Sequence, residues 1–283
     1  MASVAPAVTV RPVASVVEYR ACQELQRRAW GITEDGYVVP VATMISVQHA
    51  GGLVLGAFVP DRPDGSGERL AGFAFAYLGR VRGRWALYSQ LAAVDESLRD
   101  LGLGGRLKQA QRDWAREQGL ALVAWSFDPL QAGNANFNLH KLGAVCHEYQ
   151  VNFFGERSDA LNAGLESDRL LAEWPVNDQP RRWLGGDTEP LDLVQAVPAP
   201  AFQWDEAAAA AARPLRIEIP ADVAALRASE LSLAADWQRA VRAAFLQAFA
   251  AGYVAMDAQR EAGAAGRQVF YLLRRPAEPE GER

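Results

Sequence analysis

The residues best suited to chemistry are Arg99-Asp100-Leu101-Gly102-Leu103-Gly104-Gly105, a glycine-rich stretch suited to holding a diphosphate. It needs a strand before it and a helix after it. Upstream, Trp85 to Val94 is mostly apolar and predicts the strand. Downstream, Leu103, Leu107, Ala110 and Trp114 recur at spacings of four, three and four, which predicts one face of a helix. The first N–H groups of a helix have no internal partner, and the helix dipole adds partial positive charge there. Glycines remove the Cβ atoms that would hold an anion away from those amides. Arg99 adds a guanidinium able to fork onto phosphate oxygens.

Two common phosphate motifs are excluded. No Gly-Lys-Ser/Thr follows the glycines, so this is not a P-loop. Counting from Gly102, the last glycine of the dinucleotide fingerprint is replaced by Leu107. The remaining pattern, Arg-x-x-Gly-x-Gly over Arg99 to Gly104, resembles motif A of the GNAT acetyltransferases. A second segment, Asn134-Ala135-Asn136-Phe137-Asn138-Leu139-His140-Lys141-Leu142-Gly143-Ala144, is similar to motif B of the same family. Between them Ala121 to Phe127 reads as a strand, followed by Asp128-Pro129-Leu130. The strings Trp125 to Gln131, Asn152 to Gly155 and Ser167 to Arg169 resemble a GNAT subfamily with a C-terminal extension.

The resemblance implies a mixed α/β fold: a central sheet flanked by helices, with a small C-terminal α/β extension. It implies acetyl-CoA or another acyl-CoA as cosubstrate. The amides of Leu101, Gly102, Leu103, Gly104 and Gly105, with Arg99, would hold the pyrophosphate, and the backbone of Ala93 and Val94 would pair with the pantetheine arm. Asn134 is open between a helix cap and a pantetheine contact. Asn138 has the same two readings, with the cap preferred.

Acyl transfer also needs a base for the incoming amine and a proton for the leaving thiolate. Aligned on Gly143, the family's tyrosine acid falls on Leu139, so the proton must come from elsewhere. Tyr149, on the next strand, is a candidate, with a buried core role as the bland alternative. His140 lies one residue on, about 100° away around a helix. For the base, Asp128 and a water held by Ser89 are the candidates. Asp128 also reads as an Asp-Pro turn, and Tyr88, Ser89 and Gln90 interrupt an apolar strand where the family opens a bulge. Arg80, Arg82 and Arg84 read as a solvated run able to meet a carboxylate of the acceptor.

The reading is an N-acyltransferase acting on the amine of a small molecule such as an amino acid, with acetyl-CoA or succinyl-CoA as donor. The alternative is a CoA-binding regulatory or interaction module that has lost catalysis, which Leu139 favours.

Composition sets the bounds. The chain has 283 residues, 50% hydrophobic and 22% charged, with a net charge of −5 that argues against a nucleic-acid partner. No stretch reaches the roughly 20 apolar residues that span a bilayer. The first ten residues lack a basic region for a signal peptide, so the expectation is a cytoplasmic protein, with a homodimer as the default assembly. Cys22 and Cys146 read as reduced core thiols, and His49, His140 and His147 show no metal-ligand spacing, so no metal is expected.

Periodicity and turn residues predict the order β-α-α-β-β-β-α-β-α-β through Phe154. The expected division is a GNAT domain over 8–185, a linker over 186–212 and a C-terminal unit over 213–283. Residues 156–195 read as polar and irregular. In the last unit Leu233, Trp237, Val241, Phe245 and Phe249 form one helical stripe between predicted strands. About 70 residues make a marginal core, so this unit should pack on the rest or on a second subunit.

Overall fold

The computed structural model describes residues 7–62, 64, 66–155, 164–177, 188–196, 199–263 and 266–276, without the side chains of 99, 100, 263 and 266. The described residues fall into two compact units. One holds the chain through Trp125 together with Pro175–Asn177, and the other holds Ser126 to Trp174 and the chain from residue 188 onward.

In the first unit β1 (Thr9–Pro12), β2 (Leu53–Pro60), β3 (Glu68–Val81), β4 (Arg84–Val94) and β5 (Leu122–Phe127) lie in that order. Every pairing is antiparallel except β4 with β5, which is parallel. The helices are α1 (Val16–Trp30), α2 (Val41–His49) and α3 (Leu103–Glu117). These elements follow the expected order. Ser15 and Glu18 form a capping box that starts α1, and Gly31 ends it at φ 61°, a conformation open to glycine at little cost. Val13, Tyr19, Cys22, Leu25, Met44, Val54, Phe73, Phe75 and Ala93 make the core between α1, α2 and one sheet face. The β3–β4 hairpin is long. Its strands continue to a two-residue turn at Arg82 and Gly83, both at positive φ, as a type I′ turn requires.

In the second unit the strand order is β7 (Arg169–Pro175), β6 (Val145–Gln150), β11 (Val254–Gly263), β12 (Gly266–Arg274), β10 (Leu215–Ile219), β8 (Leu191–Gln195) and β9 (Ala201–Phe202). Its helices are α4 (Ala132–Ala135), continued by a π-helical turn Asn136–Lys141, then α5 (Glu206–Ala210), α6 (Val223–Ser229) and α7 (Leu231–Ala250). The stretch read as polar and irregular contains β7 and β8. The stretch read as linker carries β8, β9 and α5. Residues after 213 share one unit with the motif B segment: β11 pairs with β6, with Ala255 opposite Cys146, and the Tyr271 hydroxyl donates to the Pro129 carbonyl at 2.8 Å.

Candidate active site

The glycine-rich stretch folds as a short 3-10 turn, Glu96–Leu101, that hands over to α3 at Gly102. Asp95 starts the turn by accepting from the Ser97 backbone N–H at 3.1 Å. Gly102 stands at φ 67°, ψ 19°, the left-handed region in which an L side chain is strained. Its carbonyl accepts the first α3 bond, from Arg106 N–H at 3.2 Å. The amides of Leu103, Gly104 and Gly105 therefore form the first turn, which has no intrahelical acceptor. A Cβ added at Gly102 or Gly105 would meet nothing within 4 Å, so this end of α3 is open. The geometry fits a diphosphate. Arg99 lies within the 3-10 turn, and its side chain lies outside the described residues.

Beside this turn, β4 separates from β5. The parallel pairing runs over Ala86–Leu122, Leu87–Val123 and Tyr88–Ala124. From Ser89 to Val94, among the described residues, β4 is paired only with β3, and Ala93 and Val94 pair there with Phe73 and Gly72. Their other backbone edge is free to take an added strand. The register also shifts: Phe75 lies opposite Leu91 while Ala76 lies opposite Ser89, leaving Gln90 as the extra residue of a bulge. The bulge reverses the alternation. Leu91 and Ala93 face the α1–α2 core, whereas Ser89 faces α3.

Sequence periodicity missed what meets Ser89. The buried line of α3 is Leu103, Leu107, Lys108, Gln111 and Ala115, and the expected Ala110 and Trp114 are only half-buried. Lys108 Nζ lies 3.0 Å from Ser89 Oγ, and the Ser89 hydroxyl donates to Gln111 Oε1 at 3.0 Å. Lys108 Nζ also sits 3.7 Å from the centre of the Trp125 ring. Gln111 Nε2 is buried without a hydrogen-bond partner among the described residues. Burial alone brings the Lys108 pKa down to about 7. A spacing of exact fours from Leu103 through Leu107 to Gln111 and Ala115 was the available signal, but polar residues on it concealed the face.

The remaining candidates belong to the second unit, and each carries local ties. Asp128 Oδ1 accepts from the Leu130 N–H at 2.9 Å, and Oδ2 takes Arg227 Nη2 at 2.9 Å. Tyr149 is buried, stacks on Phe245 and donates to Asp168 Oδ2 at 2.7 Å. Its phenol is pushed well up, first by burial and then by the Asp168 charge. Arg242 forks onto both Asp168 oxygens at 2.8 and 2.9 Å. Asn134 is exposed at the end of α4, and Asn138 is buried within the π-helical turn. Leu139 is buried beside it. His140 points to Asp257, 3.0 Å away. Thus Ser89, Ala93, Val94 and Leu101 to Gly105 share the first unit, and Asp128, Asn134, Asn138 and Tyr149 share the second.

Among the described residues no cluster of His, Cys, Asp and Glu could hold a metal, and no helix is long and apolar enough to cross a membrane.

No protein-family model and no curated protein matches the sequence. Solved structures do resemble this chain. Arabidopsis thaliana NAA60 in complex with a bisubstrate analogue is 17% identical, with 60% of this chain and 100% of that chain covered and a TM-score of 0.48. The ribosomal-protein-S18-alanine N-acetyltransferase from Escherichia coli is 16% identical, covering 63% of this chain and 100% of its own, at a TM-score of 0.45. A GNAT family acetyltransferase from Elizabethkingia anophelis with acetyl-CoA bound is 16% identical, covering 59% and 97%, at a TM-score of 0.43.

Proposed function

We propose that this protein is a GNAT-type N-acyltransferase. It takes an acyl group from acetyl-CoA, or from a larger thioester such as succinyl-CoA, and moves it directly to the amine of a small molecule such as an amino acid. The observation that carries the reading is the pairing of two features in one unit: an open, glycine-started α3 and a β4 strand that leaves β5 immediately before it. The first suits a diphosphate and the second suits an extended amide-bearing arm.

In this reading the amides of Leu103, Gly104 and Gly105 hold the diphosphate, with Arg99 as the neighbouring cation. The free edge of Ala93 and Val94 pairs with the pantetheine amides and aims the thioester at the bulge, where Ser89 faces α3. Acyl transfer is direct. Both cysteines are buried, and burial drives their thiols up, Cys22 to about 12, so neither is a ready nucleophile. Two reduced buried thiols also suit the cytoplasm.

The test combines binding and turnover. Acetyl-CoA, succinyl-CoA and CoA are titrated by calorimetry and thermal shift, where a ligand at 100 times its Kd stabilises by about 2.7 kcal/mol. Free thiol release from the two thioesters is then followed with the twenty amino acids and simple polyamines. Binding with amine-dependent thiol release supports the enzyme. Leu139 favours a second reading, a CoA-binding module without catalysis, because its buried side chain cannot protonate a thiolate. Binding without release under any amine supports that module, and no binding defeats both.

A further inference from the structure

The geometry points to Lys108, acting through Ser89, as the proton acceptor for the incoming amine. This rests on the acyltransferase reading.

Three observations carry it. Ser89 and Trp125 are the first residues beyond the last β4–β5 pair, Tyr88 with Ala124, and Lys108 touches both, so its amine sits in the mouth of the opening. Among the described residues the groups that meet it are Ser89 from β4 and the Trp125 ring from β5, with Gln111 of α3 on the far side of Ser89, and none is charged. A buried amine without a counter-ion resists protonation, which is the state a base requires. Of the 29 Lys and Arg residues in the chain only Lys108 and Lys141 are lysines, and an arginine cannot give up its proton near neutrality.

The buried network is also incomplete. Among the described residues Gln111 Nε2 has no acceptor, and Lys108 makes one hydrogen bond with a group that has three donors when charged. A bound acceptor or water completes it.

The step balances. The acceptor enters as an ammonium and passes one proton to the Ser89 hydroxyl, which hands its own proton to the Lys108 amine. The freed nitrogen lone pair attacks the thioester carbonyl carbon, so a C–N bond forms and the C–S bond breaks. A second proton from that nitrogen goes to the departing thiolate, and the Lys108 ammonium returns its proton to solvent. Charged Lys108 donates to Ser89 Oγ along a 3.0 Å line while the Ser89 proton lies on Gln111 Oε1; neutral Lys108 accepts along that line once the hydroxyl turns from Gln111.

The test uses full-length protein labelled at lysine Cε, in which two side-chain signals report Lys108 and Lys141. The expected result is that Lys108 titrates near pH 7, well below an ordinary lysine. Saturating acetyl-CoA should shift the Lys108 signal and leave Lys141 in place. With any amine that supports thiol release, kcat should rise through the Lys108 titration, and Lys108→Met and Ser89→Ala should each remove that limb and lower kcat by about 10²–10⁴-fold. A Lys108 that stays charged to pH 10, ignores acetyl-CoA bound by calorimetry, or can be replaced by Met with the pH profile unchanged would overturn the assignment while leaving the acyltransferase reading intact. An acetyl group found on Lys108 after incubation with acetyl-CoA would make it a nucleophile and overturn it too. Absence of acetyl-CoA binding, or of thiol release with every amine, brings down the reading on which it rests.

Discussion

The Tyr149 hydroxyl donates to Asp168 Oδ2 at 2.7 Å, and the same carboxylate is forked by Arg242 from α7. This phenol ties β6 to the segment before β7, and its hydrogen bond already has a fixed acceptor. Tyr149→Phe should cost about 1 kcal/mol, the net worth of one hydrogen bond, because Asp168 keeps Arg242. Thiol release and its pH profile should not change. The raised pKa has a stability consequence as well. The folded state holds this proton above pH 10, where the unfolded phenol ionises, so stability falls as pH rises past 10 and Tyr149→Phe should flatten that fall. A drop in kcat at unchanged melting temperature would return Tyr149 to the chemistry.

Much of this was legible in the sequence, and the exceptions share one cause. The capping box, the Gly31 stop, α2 and the core strands of the first unit follow from local patterns that the packing reinforces. β7 did not, because two of its buried positions are charged. Arg169 donates to the Asp168 carbonyl at 2.7 Å and lies over the Phe154 ring, and Glu173 meets His147 at 3.1 Å. Hydropathy reads those residues as surface, yet the Phe154 ring, the Asp168 carbonyl and the His147 imidazole satisfy them inside the core. Lys108 and Gln111 on α3 were concealed in the same way. The glycine-rich turn was legible because backbone conformation needs no distant partner. The proton path was not, because it depends on a bulge at Gln90 that turns Ser89 toward α3.

The α3 cradle separates stability from binding at one residue. Gly105 lies in the first turn of α3, and a Cβ there meets nothing in the free protein. Gly105→Ala should therefore raise helix stability by up to about 1 kcal/mol, as removing a helical glycine does. The same methyl should stand where a diphosphate approaches the amides and weaken CoA binding. Calorimetry with CoA and a thermal melt of the free protein check both. A variant that melts higher and binds CoA as before would remove the diphosphate from this end of α3.

Lys108 should also write itself into the stability curve. Its pKa is lowered from 10.5 to about 7 by burial. Between these values the unfolded chain holds a proton that the folded chain lacks, so stability rises with pH across the window, by at most about 1.4 kcal/mol per pH unit. Below about pH 7 both states carry the proton and the penalty is at its full size. Lys108→Met should flatten the curve between pH 7 and 10 and make the protein more stable at pH 6, since an apolar side chain replaces a buried amine that among the described residues has no counter-ion. Denaturant melts across pH measure this without any substrate. A wild-type curve that is level through the window would contradict it.

Asp128 is held at both oxygens, by the Leu130 N–H and by Arg227, with only 13% and 11% of the two side chains exposed. Asp128→Ala removes one partner of a nearly buried pair and should destabilise by about 3 kcal/mol. Asp128→Asn keeps an acceptor for the turn and should cost less. Per folded molecule, the asparagine variant should retain its rate of thiol release. Loss of that rate by a hundredfold in a variant that melts normally would make Asp128 the base in place of Lys108.

The chain after residue 213 supplies the cover for the motif B half of the sequence. Arg242 holds Asp168, Phe245 stacks on Tyr149, Gln238 donates to the Glu166 carbonyl at 2.7 Å, and β11 flanks β6. All of these lie in one compact unit, so truncation does not release a separable domain. Deleting 213–283 should strip one edge from β6, bare the rings it buried and leave Asp168 a buried charge without its arginine. The truncated chain should aggregate, or melt at lower temperature in two steps, on light scattering and calorimetry. Trp237 lies on the buried face of α7 at 7% exposure, and Trp237→Ala should cost about 3–5 kcal/mol in the intact chain. A truncated protein that remains monomeric with an unchanged melt would show that residues 126–174 hold their fold without this cover.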